Sequence, residues 1–124
     1  MRDRMRRICA LLFVAAFTLG YAGDLAPLES RKIDFLIAAI ETLGDAKFVR
    51  NGTAYDAKAA ADHLRLKLRN AGSRVKSADD FIRFCASVSS VSGVPYEIRF
   101  SDGHVVTSEV FLRQKLSEFP RQQG

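Results

Sequence analysis

The chain is short of cysteine. Two of its 124 residues are cysteines, Cys9 and Cys85, and Cys9 lies in a leading stretch that reads as a leader removed on export. Cys85 then stands alone, which excludes an internal disulfide, so the remaining chain must be held by burial. At this length one hydrophobic core is expected to suffice. Two dispersed histidines and one core-facing cysteine offer no metal-ligand spacing, and the carboxylates are scattered, so no metal and no cofactor are expected. Neither a Gly-x-Ser-x-Gly elbow nor a Gly-x-x-x-x-Gly-Lys phosphate loop is present, which removes the two commonest signatures of hydrolysis and nucleotide binding. The longest apolar run, Ile8 to Leu19, is shorter than the roughly 20 residues a membrane span needs.

An excess of one charge is also missing. Arg2, Arg4, Arg6 and Arg7 stand before the apolar run, and Gly20-Tyr21-Ala22 follows it. A basic start, an apolar middle and a small-residue end make a secretory signal, with cleavage expected between Ala22 and Gly23. Gly23 at that point excludes a lipid-anchored cysteine. Without the leader, 15 Lys+Arg face 13 Asp+Glu over 102 residues. That near-balance argues against nucleic acid as a partner. The expected organisation is a signal peptide over 1–22, a linker over 23–27, one domain over 28–119 and a polar tail over 120–124.

What is present is a regular alternation of helix and hairpin signals. Pro27 suits a first helical turn, and Ile33, Leu36, Ile37, Ile40 and Leu43 recur at helical spacing up to Gly44. Phe35 and Ala39 widen that stripe, which predicts cover on two sides. Asn51-Gly52 between β-prone runs predicts a tight hairpin with Phe48 opposite Tyr55. The same residues fit a glycosylation acceptor, but the turn explains them without a modification.

Asp56 then caps a helix over Ala57 to Ala71. Ser77 with Asp80 resembles a capping box opening a third helix to about Val88. Tyr96, Ile98 and Phe100 alternate with polar residues as a half-buried strand does, and Asp102-Gly103 predicts a second two-residue turn. Thr107 or Ser108 caps a last helix, stopped by Pro120. The predicted class is α+β, in the order α-ββ-α-α-ββ-α, with helices covering one face of a small antiparallel sheet. Two hairpins each leading into a capped helix hint at an internal ββα duplication.

The ordered segments Phe48-Val49-Arg50-Asn51-Gly52, His63-Leu64-Arg65-Leu66-Lys67-Leu68, Asp80-Phe81-Ile82, Ala86-Ser87, Ser89-Ser90 and Gly93-x-Pro95-Tyr96-x-Ile98 resemble the YfeK-like family of small exported bacterial proteins, a domain of unknown function. The resemblance covers Phe48 to Ile98 and implies a signal peptide and periplasmic residence. It carries no activity, cofactor or catalytic residue. Compared with relatives, Ala57 stands where some have a cysteine, and Cys85 where some have an aliphatic residue, which argues against shared cysteine chemistry.

Among surfaces, the second helix is the strongest candidate. At about 100° per residue its core stripe holds Ala57, Ala60, Ala61, Leu64, Leu68 and Ala71, small residues that would let the helix approach a sheet or another helix closely. Arg65 and Arg69 share one flank with Lys58, His63 and Lys67 share the other, and Leu66 lies between them. An apolar residue flanked by cations suits an anionic or amphipathic partner, whereas the plainer reading is a solvated helix with Leu66 covered by the C-terminal segment. The candidate binding residues are therefore His63, Arg65, Leu66, Lys67 and Arg69. Arg50 and Tyr96 are secondary candidates, on the condition that the two hairpins lie side by side and form a polar pocket with Asn51 and Tyr55.

His63 as a general base needs a nucleophile, and only the serines of the Ser87–Ser92 loop offer one. A structural histidine is the plainer reading. Cys85 faces the core with Phe81 and Val88 and is expected to be inert. The resulting expectation is a monomeric, non-catalytic binding module whose partner is an anionic envelope component or another exported protein. The alternative is a small periplasmic hydrolase built on His63 and a loop serine.

Overall fold

The computed structural model describes residues 25–123, with side chains through residue 119. The leader, its cleavage point at Ala22–Gly23 and the start of the linker lie outside the described residues.

Helix α1, Pro27–Glu41, starts with proline at its first position and buries Ile33, Leu36, Ile37 and Ile40. Its wide apolar arc is covered from several directions, by α2 (Ala57–Ala71), α3 (Ala78–Phe81) and α4 (Ser108–Gln123). Phe35 meets Phe119 of α4 edge-to-face at 5.5 Å between ring centres. The predicted two-sided cover is what the helix has.

Strands β1 (Lys47–Arg50) and β2 (Thr53–Tyr55) pair antiparallel with Phe48 opposite Tyr55. Asn51 and Gly52 turn the chain with φ of 51° and 79°. Both angles lie in the left-handed region that a tight two-residue hairpin demands. Asp56 caps α2 by accepting from the Ala59 amide at 2.8 Å. Ser77 caps α3 by accepting from Asp80 N at 3.0 Å, and the Asp80 carboxylate accepts in return from Lys76 N at 3.0 Å. The box therefore closes on the residue before the cap, Lys76, and not on the Ser77 amide.

Three details depart from the sequence reading. The third helix is α-helical only to Phe81 and continues as a π-turn over Ile82–Ala86. The Ser87 hydroxyl donates to the Ile82 carbonyl there at 2.6 Å, a side-chain bond that competes with the regular ladder. The second hairpin, joining β3 (Glu97–Arg99) to β4 (Val105–Thr107), has a three-residue loop. Its Gly103 amide donates back to Phe100, and Phe100 N donates to His104 O. Gly103 at φ 94° is the left-handed residue this longer loop requires. Finally, Thr107 caps α4 by accepting from Val110 N at 3.3 Å, but α4 runs past Pro120 to Gln123. A proline in the last turn removes one N–H donor without breaking any later ladder, so it does not stop the helix.

The four strands form one antiparallel sheet in the order β2-β1-β3-β4. The first strands of the two hairpins pair at its centre. Tyr55, Phe48, Ile98 and Val106 stand opposite one another in a row across the sheet. Phe48 and Ile98 are buried there, at 9% and 0% exposure. Together with Leu36, Ile40, Phe81 and Leu112 they belong to one hydrophobic cluster. The chain is thus a single small α+β domain in the predicted element order. No helix among the described residues is long and apolar enough to cross a membrane.

Candidate functional site

Strand periodicity places the site. Side chains two apart share a face, so Arg50 projects from the same covered face as Phe48, and Tyr96 from the same face as Ile98. The β1–β3 register pairs Phe48 with Ile98 and Val49 with Glu97. Continued one step, it sets Arg50 across from Tyr96. The two side chains leave the core row at the sheet's end, where the His63 flank of α2 crosses. The condition for a pocket is met: the hairpins lie side by side.

A cavity of about 160 Å³ opens at this junction. Ile40, Phe48, Val49 and Leu64 supply apolar walls, and Ala59 and Ala60 leave room where larger side chains would fill it. Arg50, Tyr55, His63, Tyr96 and Ser108 bring the polar atoms. Arg50 Nη1 lies 3.1 Å from His63 Nδ1 and 2.9 Å from Nε2. One nitrogen shared between both ring nitrogens follows neither lone pair, so Arg50 acts here as a cation beside a neutral ring. Its Nη2 donates to the Tyr55 hydroxyl at 3.4 Å, with the guanidinium 5.4 Å from that ring's centre.

From one turn further along α2, Lys67 Nζ donates to the Tyr96 hydroxyl at 2.9 Å and to the Val88 carbonyl at 3.1 Å. The Tyr96 oxygen also lies 3.4 Å from His63 Nε2. An ammonium can only donate, so the Tyr96 oxygen accepts from Lys67 and keeps its own proton to give. Burial lowers the His63 pKa below its ordinary value of 6.5, and the charges of Arg50 and Lys67 lower it further. His63 is accordingly neutral at pH 7.

The charge balance of the cluster is its most telling property. Of the fourteen lysines and arginines between residues 25 and 119, Lys32, Lys58, Arg65, Arg113 and Lys115 have carboxylate partners; nine do not, and what sets Arg50 and Lys67 apart among these nine is that both reach the His63–Tyr96 pair. Among the described residues, no carboxylate pairs with Arg50 or Lys67, whose hydrogen-bond partners are neutral. Arg50 and two tyrosine hydroxyls border a mostly apolar cavity, with Lys67 behind Tyr96 and no carboxylate on either cation. Such a site can hold an anion through charge-assisted hydrogen bonds.

The candidate residues divide cleanly. Arg50, His63, Lys67 and Tyr96 come together. Arg65 does not join them: it pairs with Glu41 at 2.9 Å and Asp62 at 3.1 Å on the other flank. Arg69 is exposed, and Leu66 is 45% exposed on the outer face. Asn51 also stays out of the cavity. Its amide donates to Ser89 Oγ at 3.1 Å, and its carbonyl accepts from Ser92 Oγ, tying the first hairpin to the loop after the π-turn. Those serines, like Ser87, bond within their own surroundings, and His63 has no hydrogen bond to any of them. Ser108 and the two alanines are lining residues that the sequence reading misses, since a capping serine and helix alanines look alike in any fold.

Comparison with known proteins agrees with the fold's extent. The profile of a family of unknown function, DUF5329, matches residues 27–120. The chain belongs to that family. It is also 36% identical over 92 residues to the uncharacterized protein YfeK of Salmonella typhimurium, covering 74% of this chain and 77% of the relative. The DUF5329 match spans α1 through most of α4, so every element that builds the cavity falls inside the family domain. No solved structure matches the chain.

Proposed function

We propose that this chain is exported by its leader, cleaved between Ala22 and Gly23, and acts in the periplasm as a monomeric, non-catalytic binding module. Its partner is an anionic envelope component or an anionic group on another exported protein. The observation that carries the reading is the unanswered positive charge: Arg50 from the sheet and Lys67 from α2 close on His63 and Tyr96 without a carboxylate. Arg65, Leu66 and Arg69 on the outer face are not needed for it. The hydrolase alternative has less support, because a base needs its nucleophile within hydrogen-bond reach and His63 faces Arg50 and Tyr96 instead of a loop serine.

A chemical-shift titration of the isotopically labelled protein with acetate and then inorganic phosphate tests the site. Saturable shifts should centre on Arg50, His63 and Tyr96 and be lost in Arg50→Met. Weak shifts spread equally over Arg65 and Arg113 would count against it. Export has its own check: the protein recovered from the periplasm should begin at Gly23, and an intact chain among cytosolic proteins would contradict the reading.

A further inference from the structure

The cavity beneath Arg50 narrows the ligand class, and this step rests on the anion-binding reading above. We infer that the site takes a small monocarboxylate whose apolar body, about the size of a benzene ring, enters the cavity while its carboxylate meets the Arg50 guanidinium and the Tyr96 hydroxyl.

Size comes first. An apolar cavity near 150 Å³ holds one benzene, and this one is about 160 Å³. Its inner walls are the side chains of Ile40, Phe48 and Leu64, with Ala59 and Ala60 as the small residues that keep it open. A bare anion leaves those walls unfilled. A ligand with an apolar body removes them from water, which is the larger part of the affinity available to so small a molecule.

Charge and geometry come second. Of the two cations in the cluster, only Arg50 borders the cavity. A planar guanidinium offers paired N–H donors that match the two oxygens of one carboxylate. Lys67 stands behind Tyr96, and its bond to the phenol oxygen turns the phenol proton toward other acceptors. Tyr55 behaves alike, accepting from Arg50 and keeping its own proton. The mouth therefore presents donors, and one guanidinium balances one negative charge. A phosphate dianion brings a second charge that the apolar walls cannot answer.

Calorimetry on the purified protein with four probes decides the matter: benzoate, acetate, benzyl alcohol and inorganic phosphate. Benzoate should bind at one site at least about tenfold more tightly than the other three, over benzyl alcohol through the charge-assisted hydrogen bond and over acetate and phosphate through the buried ring. Arg50→Met should reduce benzoate to the level of benzyl alcohol. Ala60→Leu, which fills the cavity, should reduce it to the level of acetate. Ala59→Leu serves as a second filler, and the helical circular dichroism of each variant shows that it folds. If acetate and phosphate equal benzoate and neither filler matters, the cavity inference falls while the anion site stands. Should benzyl alcohol equal benzoate with Arg50→Met silent, or should no probe bind at millimolar concentration, the anion-binding reading falls as well.

Discussion

His63 stands beside one cation and one turn away from another, and that placement sets how it titrates. Its folded pKa is depressed by burial first, then by Arg50 and Lys67. For a histidine lowered on folding, the unfolded chain takes up its proton first, near pH 6.5. Stability from the neutral ring is thus complete above that pH, falls as pH drops toward the lowered folded value, and then levels off. Urea midpoints should decline from about pH 7 to about pH 5 more steeply in the native sequence than in His63→Gln. Arg50→Met should raise the His63 pKa measured by imidazole proton shifts; a fall would contradict the assigned cause. Cys85 makes the opposite case at the same scale. Burial raises its thiol pKa and the side chain is wholly covered. A thiol reagent should leave the native protein unlabelled and react once it is denatured. Rapid stoichiometric labelling of the native chain would refute that burial.

Among the elements, local chemistry was legible and long-range placement was not. Asn51-Gly52, Asp56 and Ser77 each announce a turn or cap through a mechanism confined to a few residues, and each does what its chemistry predicts. The three-residue loop at Asp102-Gly103 was misread because Gly103 serves either loop length equally well; only the pairing of Arg99 with Val105 decides between them. The π-turn at Ile82–Ala86 was missed because its buried residues keep helical spacing in the sequence. Arg50 and Tyr96 remained conditional for a similar reason. Their meeting depends on β1 pairing with β3, a contact between strands more than forty residues apart that no local pattern encodes. The first hairpin offers a clean test. Gly52→Ala forces a side chain into left-handed backbone and should cost about 1–2 kcal/mol in a denaturant titration. Asn51→Gly keeps the turn conformation but removes the side chain's bonds to Ser89 and Ser92. Amides in the loop that follows Ser87 should then exchange faster, with little change in the midpoint; unchanged exchange would mean that Asn51 does not hold the loop.

The whole molecule is held by one core, without disulfides among the described residues. Leu36 of α1 sits at its centre, fully buried, so Leu36→Ala should cost about 2–5 kcal/mol. Leu66→Ala, on the outer face of α2, should stay within about 0.5 kcal/mol. Comparable losses at both positions would mean that something covers Leu66 in the working protein. Against this ordinary interior, the junction of sheet and α2 is the place where packing and charge are both left incomplete. Two ββα units set their first strands side by side, and Arg50, His63, Lys67 and Tyr96 meet where the pairing ends. The role proposed for this meeting place is to accept an anion. The most direct measurement is the His63 pKa, followed by imidazole proton shifts, without added anion and then with benzoate in excess. A bound anion offsets the two cations that help to hold the pKa down, so it should rise toward or above 6.5. A pKa that benzoate leaves unmoved, while Arg50→Met raises it, would show that the probe registers charge and that no anion binds there.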